Sequence, residues 1–537
     1  MNAKIRGRQI RPWPTGNDVQ VKRPEILISH RIFTASTAMS NDFNALLAKV
    51  ASHLAERDAA LSTLPVTPGA EAVAAAVDAL PPALPQAGLG TGATLDYLLS
   101  SVLPGCLTAQ NGPRYFGFVT GGVTPAAQLA DILGSGYDEN VQVTLGDTSA
   151  ATTVEARTLE MVLDLLEIPR ETYAGRTITT GATASNILGL ACAREALYAA
   201  SPYTYGDYSY AASGPPPGLP TPPIVVLGLH PHWSIKKAAA LVGLGNGPSV
   251  FHSLPADADD ELAPDLSALR GRLVAERAIG RGVIVTYGLG EVNTGGFGRG
   301  LPQIAALCRQ YGAWLHVDAA FGGFAGAVPE LRHLVEGIDL ADSLTLDGHK
   351  WLNVPYDCGL FFTRDARALP SFLGPSASNT PAYLAADDAA IPSPLTMNIE
   401  NSRRFRALPL FASLLSLGKD GYADIVRRNV AFARRVATYL ASHPSYQLLN
   451  MSPEWLASGA PVPLNIVLFR GAPGSRFDPE SADAHTRLTA AINATRRMYV
   501  SGSQWGGKGA VRLAVSNWRT GDEDWEIVRA VLDEVTA

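Results

Sequence analysis

The sequence predicts an α/β fold built on a largely parallel sheet, and three observations carry that expectation. First, from Arg176 onward short strand-like runs alternate with helix-like stretches, the pattern of strands joined by crossover helices. Second, the segment LTLDGHKW, Leu344 to Trp351, is an apolar run that reads as a buried strand and ends in polar residues. Open α/β sheets bind their ligands at such strand ends. Third, 537 residues with 47% hydrophobic content are enough for two or three domains rather than one small core.

Taken in order, the first 17 residues carry Lys4, Arg6, Arg8 and Arg11 with no acid, which resembles a targeting composition. Pro12 and Pro14 interrupt any amphipathic helix there, so the reading favours a basic tail. A helical pattern begins near Phe43, a Pro/Gly/Ala-rich passage runs from Leu64 to Gly90, and a second helix-like run covers Leu95 to Val102. These pieces form an extended arm, residues 1–120. The strand-like runs RTITT, IVVLG at Ile224, GVIVTYG at Gly282, WLHVDAA at Trp314, SLTLDG at Ser343 and CGLFFTR at Cys358 make a large domain, 121–408, with a helix expected from Ala184. Within it, the Pro/Gly/Tyr-rich stretch from Ser201 to Pro223 reads as a surface loop. After Arg403 come a long amphipathic stretch, strands near PLNIVLFR and GAVRLAVSNW, and a closing helix from Glu523. That is a small α+β domain, 409–537.

Composition excludes several classes of partner. A formal charge of −6, with no Lys/Arg cluster interleaved with aromatics, gives no field for nucleic acid. Cys106, Cys192, Cys308 and Cys358 have neither zinc-site nor disulfide-framework spacing, which fits a reducing, cytoplasmic setting. Every apolar stretch breaks before the roughly 18 residues a membrane span needs. A small-molecule partner is expected.

Lys350 ends the buried run, where an apolar setting lets a lysine serve as a Schiff-base former. Asp318, 32 positions earlier, lies near the end of WLHVDAA, and a buried carboxylate there needs a partner. An acid and a lysine on neighbouring strand tips could hold the two ends of one pyridine ring, which points to pyridoxal 5'-phosphate. The stretch TITTGATASNILGL, Thr177 to Leu190, reads as strand, small-residue turn and helix, whose first N–H groups and Thr183 hydroxyl would take a phosphate. His232 follows the Ile224 strand; it could stack on a planar cofactor and meet a substrate carboxylate, or simply cap the next helix. His230 is the competing candidate.

Together these motifs resemble the group II pyridoxal-phosphate-dependent decarboxylases of fold type I, from about Pro113 to near the C-terminus. HVDAA and HKW carry the likeness, supported by RYFGFVTGG at Arg114, SAATTVEARTLEMVLDLL at Ser149 and NSRRFRALPLF at Asn401. The resemblance implies a mostly parallel seven-stranded sheet in a large domain, an N-terminal helical arm, a small C-terminal α+β domain and a homodimer with active sites at the interface. It assigns Lys350 the covalent link to the cofactor and Asp318 the pyridine nitrogen. Ala320 and His232 take opposite ring faces, Ala182 and Thr183 the phosphate, and His349 lies near the cofactor. Tyr383 falls where the family places a loop tyrosine that returns a proton to the substrate carbon. Phe118, Val119 and Thr120 would line the substrate pocket. Two departures stand out: GLGEVNTGGF replaces a Gly-Thr-Thr motif, leaving Val292 or Thr294 in the place of a threonine, and Asp347 stands where several relatives have asparagine. The implied activity is decarboxylation of an L-amino acid, aromatic by preference, to amine and carbon dioxide. The alternatives are an aldehyde synthase or other lyase on the same scaffold, a non-aromatic substrate, and a catalytically silent homologue.

Overall fold

A computed structural model describes residues 39–205, 208–374, 391–451 and 464–537, with side chains from residue 43. The large sheet has seven strands: β1 (Gly175–Thr179), β2 (Ile224–Gly228), β3 (Phe251–Ser253), β6 (Gly282–Gly288), β7 (Trp314–Asp318), β8 (Ser343–Asp347) and β9 (Gly359–Thr363). A hairpin of β4 (Ala256–Asp257) and β5 (Asp260–Pro264) stands apart. The spatial order is β1-β9-β8-β7-β6-β2-β3. From β8 to β3 all neighbours are parallel, whereas β9 runs antiparallel to both β1 and β8. The reason lies in the connection. Only residues 348–358 join β8 to β9, with one helical turn, Gly348–Trp351, inside them. A parallel return needs a crossover of a dozen or more residues.

The helix expected from Ala184 begins at Ala182 and runs to Ala199. The Pro/Gly/Ala-rich passage contains a helix, Ala70–Ala79, and the following helix-like run includes a π-helical segment, Leu98–Val102. The Ser201–Pro223 stretch is less loose than its composition suggests, because Tyr210 stacks on the buried Tyr198 with centroids 4.9 Å apart.

Helix Ala407–Ser442, kinked at Gly418, leads from the large sheet into a second, antiparallel sheet. That sheet holds β10 (Tyr446–Leu448), β11 (Ile466–Gly471), β12 (Ser501–Trp505) and β13 (Lys508–Ala514) in the order β10-β11-β13-β12. One continuous apolar core joins the two sheets. Trp351, fully buried, sits within it and donates its indole N–H to Asn429 Oδ1 at 2.8 Å. Residues 114–124 lace the two sheets together. Arg114 pairs with Asp524 at 2.6 Å, the Phe116 N–H donates to Tyr499 O and the Tyr499 N–H to Arg114 O on either side of Tyr115, and Thr124 N–H donates to Asn353 O at 2.9 Å. Gly121 lies so close to Lys350 that a Cβ there would fall 1.6 Å from the Lys350 carbonyl oxygen, so only glycine fits.

Candidate active site

The loops following β1, β2, β6, β7 and β8 enclose a cavity of about 330 Å³ at the carboxyl end of the parallel strands. This is the ligand position expected of an open α/β sheet. Lys350, His232, Asp318, Ala320, His349, Ala182 and Thr183, scattered over 169 positions of sequence from Ala182 to Lys350, all line it.

Lys350 occupies the helical turn after β8, and its Nζ is 2.9 Å from Asp347 Oδ2. Asp347 is buried, and its Oδ1 accepts the Ala182 N–H at 2.7 Å. The acid read as a mild misfit therefore caps the start of the helix Ala182–Ala199 and pairs with the lysine. His349 places Nε2 3.6 Å from the same carboxylate, accepts the Cys358 N–H at Nδ1 (3.1 Å), and packs on Tyr356 with centroids 4.4 Å apart. Burial, the dominant cause, lowers its pKa below the usual imidazole value.

Asp318, at the tip of β7, accepts Asn186 Nδ2 at 3.0 Å and the Ala320 N–H at 3.2 Å. Across the cavity, His232 is the N-cap of helix Trp233–Leu241, its Nδ1 accepting the Ser234 N–H at 3.2 Å. Capping and a place on the cavity wall are thus both true of this histidine. Its pKa is lowered, chiefly by burial, with Asp318 opposing. His230 also lines the cavity, near Trp505 of the small sheet.

Three of the expected residues lie away from this cavity. Phe118, Val119 and Thr120 are not on the cavity wall of this chain. Phe118 has φ +56°, is 63% exposed and points outward, while Val119 and Thr120 are buried behind the wall. The anchors are local: the Phe118 N–H donates to Ser501 Oγ, and the Thr120 carbonyl accepts Ser516 Oγ. Of the two residues replacing the family threonine, Val292 lines the cavity, whereas Thr294 turns away and donates its hydroxyl to Glu291 Oε2 at 2.9 Å. Tyr383 lies outside the described residues.

Two groups are not apparent from the sequence, Asn186 and Arg512, and Asp347 is apparent there only as a departure without a role. Arg512 is buried, donates Nε to the Val292 carbonyl at 2.6 Å, and keeps a buried Nη2 without a partner among the described residues. A polar residue on a helix face otherwise filled with Leu, Ala and Gly was the available signal for Asn186.

The site suits pyridoxal phosphate: a lysine amine on the wall, a carboxylate at one end, and at the other a small-residue turn opening a helix, whose first N–H groups lack intrahelical partners. A sequence profile described as "Pyridoxal-dependent decarboxylase conserved domain" matches residues 77–456. The chain belongs to that decarboxylase family. Tryptophan decarboxylase TDC1 of Camptotheca acuminata is 28% identical over 422 residues, spanning 77% of this chain and 78% of the relative. L-2,4-diaminobutyrate decarboxylase of Rhizobium meliloti (strain 1021) is 29% identical over 422 residues, 77% of this chain and 75% of the relative. The fold matches the crystal structure of Oryza sativa TDC with PLP and tryptamine at a TM-score of 0.79 and 23% identity, covering 94% of this chain and all of the other. The decarboxylase uses pyridoxal phosphate and removes the carboxyl group of an amino acid.

Two measurements follow from this geometry. Asp347→Asn keeps an acceptor for Ala182 but removes a negative charge beside the helix start that would take the phosphate. We expect the decarboxylase to bind the cofactor some 3- to 10-fold more tightly, read by titrating pyridoxal phosphate onto cofactor-free protein. Equal or weaker binding would mean that the charge serves Lys350 more than it opposes the phosphate. Separately, burial depresses the pKa of His316 from 6.5 to about 4. The unfolded chain takes up that proton first, so the contribution of His316 is complete above pH 6.5 and declines as pH falls to about 4. The loss amounts to about 3 kcal/mol. His316→Gln should flatten the acid limb of urea-unfolding stability against pH; an unchanged slope would exonerate His316.

Proposed function

We propose that the decarboxylase converts an aromatic L-amino acid to its amine and carbon dioxide, acting in the cytoplasm as a homodimer. The observation that carries the aromatic assignment is the cavity wall. Away from Lys350 it offers Leu229, Pro231, Leu262, Val292 and Phe321, with no arginine and no second lysine among the described lining residues to hold a side-chain carboxylate. An apolar, largely preformed wall with a few polar groups suits a planar hydrophobic side chain. The tryptophan decarboxylase relative points the same way.

In this reading, bound pyridoxal phosphate supplies the electron sink for the bond pair left behind by the departing carboxylate. The protein supplies position and proton control. Lys350 provides the amine that holds the cofactor carbonyl, and Asp318 keeps a proton on the ring nitrogen. Ala182 and Thr183 would hold the phosphate, with His349 beside them, and Ala320 and His232 would flank the ring. His232 also orients the substrate carboxylate, and Tyr383 delivers a proton to the α-carbon. The domain division at 120 and 408 belongs to the same proposal, although residues 114–124 are shared by both sheets. Homodimer formation is supported by exposed Leu129, Ile132 and Leu133 on helix Pro125–Tyr137 and by the outward Phe118. Phe118 would then contribute to substrate binding from the subunit interface rather than from the wall of its own cavity, with the buried Val119 and Thr120 supporting it from behind. No helix among the described residues is long and apolar enough to cross a membrane.

Glu291 on the wall favours a second reading, a diamino acid whose distal ammonium it would hold. Its Oε2 already accepts the N–H of Asn293 and both the N–H and hydroxyl of Thr294, at 2.7–2.9 Å, and its Oε1 accepts Asn293 Nδ2. That internal satisfaction weighs against it. The test is a panel of L-Trp, L-Tyr, L-Dopa, L-Phe, L-His, L-Glu and L-2,4-diaminobutyrate, with carbon dioxide, amine, aldehyde and peroxide measured together. Amine from the aromatic acids is expected. Release from diaminobutyrate or glutamate alone would overturn the aromatic assignment, and aldehyde with ammonia and peroxide would replace decarboxylase by aldehyde synthase. Light scattering should give twice the chain mass.

A further inference from the structure

Behind the cavity lies a row of buried polar side chains that the reaction as described does not use. Trp314 Nε1 donates to Ser343 Oγ at 2.9 Å, and Ser343 Oγ lies 2.8 Å from His316 Nδ1. His316 Nε2 is 2.9 Å from Asn186 Oδ1, and Asn186 Nδ2 is 3.0 Å from both Asp318 Oδ2 and Ser234 Oγ. Ser234 Oγ in turn lies 2.7 Å from His232 Nδ1. Asn186, Ser343 and His316 are fully buried and Ser234 nearly so.

The two ends of this row dictate every proton in it. An indole N–H can only donate and a carboxylate can only accept. Asn186 must therefore turn its amide nitrogen toward Asp318 and its oxygen toward His316, which must donate from Nε2. His316 then has only a lone pair at Nδ1, and this takes the Ser343 hydroxyl proton while Ser343 accepts from Trp314. On the branch, the second Asn186 N–H goes to Ser234, whose own proton goes to His232 Nδ1. His232 Nδ1 also receives the Ser234 backbone N–H, so the His232 proton sits on Nε2. Burial keeps His316 neutral, which leaves it one N–H and one direction. Packing holds its ring in place: a Cβ on Gly189 would lie 2.5 Å from it.

We infer that Trp314, Ser343, His316 and Asn186 form a one-directional hydrogen-bond relay that positions Asp318 and, through Ser234, presents His232 to the cavity as a donor at Nε2. Asn186, His316 and Ser234 are positioning residues. The relay's single amide nitrogen serves both sides of the cofactor site, so the pyridine-nitrogen acid and the ring-stacking histidine are tied to one group. Consequently, a lesion at Ser343, which does not line the cavity, changes the binding of a ligand it cannot touch.

This inference rests on the proposed roles of Asp318 and His232, and its test needs no turnover. In cofactor-free protein, nitrogen NMR of labelled histidine should place the protons of both His316 and His232 on Nε2. Ser343→Ala should weaken pyridoxal phosphate binding about 10-fold and shift the pH midpoint of the bound cofactor's absorbance, with recovery in Ser343→Thr. Asn186→Leu should do the same or more. A proton on Nδ1 of His316 in the unaltered protein would overturn the relay. So would wild-type affinity and midpoint in both Ser343→Ala and Asn186→Leu, whatever their melting temperatures. If instead the aromatic substrates fail while these readouts behave as stated, the substrate assignment falls and the relay stands.

Discussion

Lys350→Ala should lower kcat by roughly 10³-fold or more and abolish the visible absorbance of a lysine-linked cofactor. The argument is partly chemical, since no other lysine lines the cavity among the described residues. It is also electrostatic. Removing the amine strips Asp347 of its 2.9 Å partner and leaves a buried acid with the Ala182 N–H and a distant imidazole. A buried charge deprived of its partner is costly. Lys350→Arg separates the two effects: it restores a cation beside Asp347 without an amine able to form the link, so stability should return and activity should not. Substantial turnover in either variant would remove Lys350 from the mechanism.

Asp318→Asn carries the second largest effect, a fall in kcat on the order of 10²-fold with a smaller change in cofactor affinity. A nearby carboxylate holds a proton on a basic nitrogen, typically raising its pKa by one to three units. Asparagine has the same shape but no charge, so the loss should appear in kcat more than in KM, and in a cofactor absorbance that titrates at lower pH. Asp318→Ala would add loss of the Asn186 contact and should be worse than Asn. Equal kcat in Asp318→Asn and the unaltered enzyme would break the assignment.

Much of this was legible from residue order because the determinants are local. β2, β6, β7, β8 and β9 coincide with the apolar runs IVVLG, GVIVTYG, WLHVD, SLTLD and GLFFT, since strands covered on both faces must be apolar almost throughout. The Asp318–Lys350 register was readable because strand ends converge on one edge. What was not legible depends on distant partners. Asp347 looks like a misfit until Ala182, 165 residues away, supplies its hydrogen bond. His316 hides inside a strand whose pattern says only that it is covered, and its meaning comes from Asn186 and Ser343. The Phe118 segment is expected by motif to meet substrate, and its positive φ and its bonds to Ser501 and Ser516, all invisible in the sequence, set it off the wall of its own chain's cavity. β12 has too little apolar content to be read as a strand, and it exists because β13 pairs with it over five positions.

The lacing at residues 114–124 bears on when the enzyme can come into being. The segment that lies against the Lys350 carbonyl is fixed by Ser516 and Asp524, partners 396 and 410 positions further along the chain. During synthesis the Lys350 loop, the Asp318 tip and the helix at Ala182 all emerge well before those partners do. The large sheet is complete in sequence by Thr363, but the floor beneath the lysine closes only when residues beyond β13 join the fold. A nascent chain arrested before β13 would thus carry Lys350, Asp318 and Ala182 and lack the partners that fix the floor beneath them.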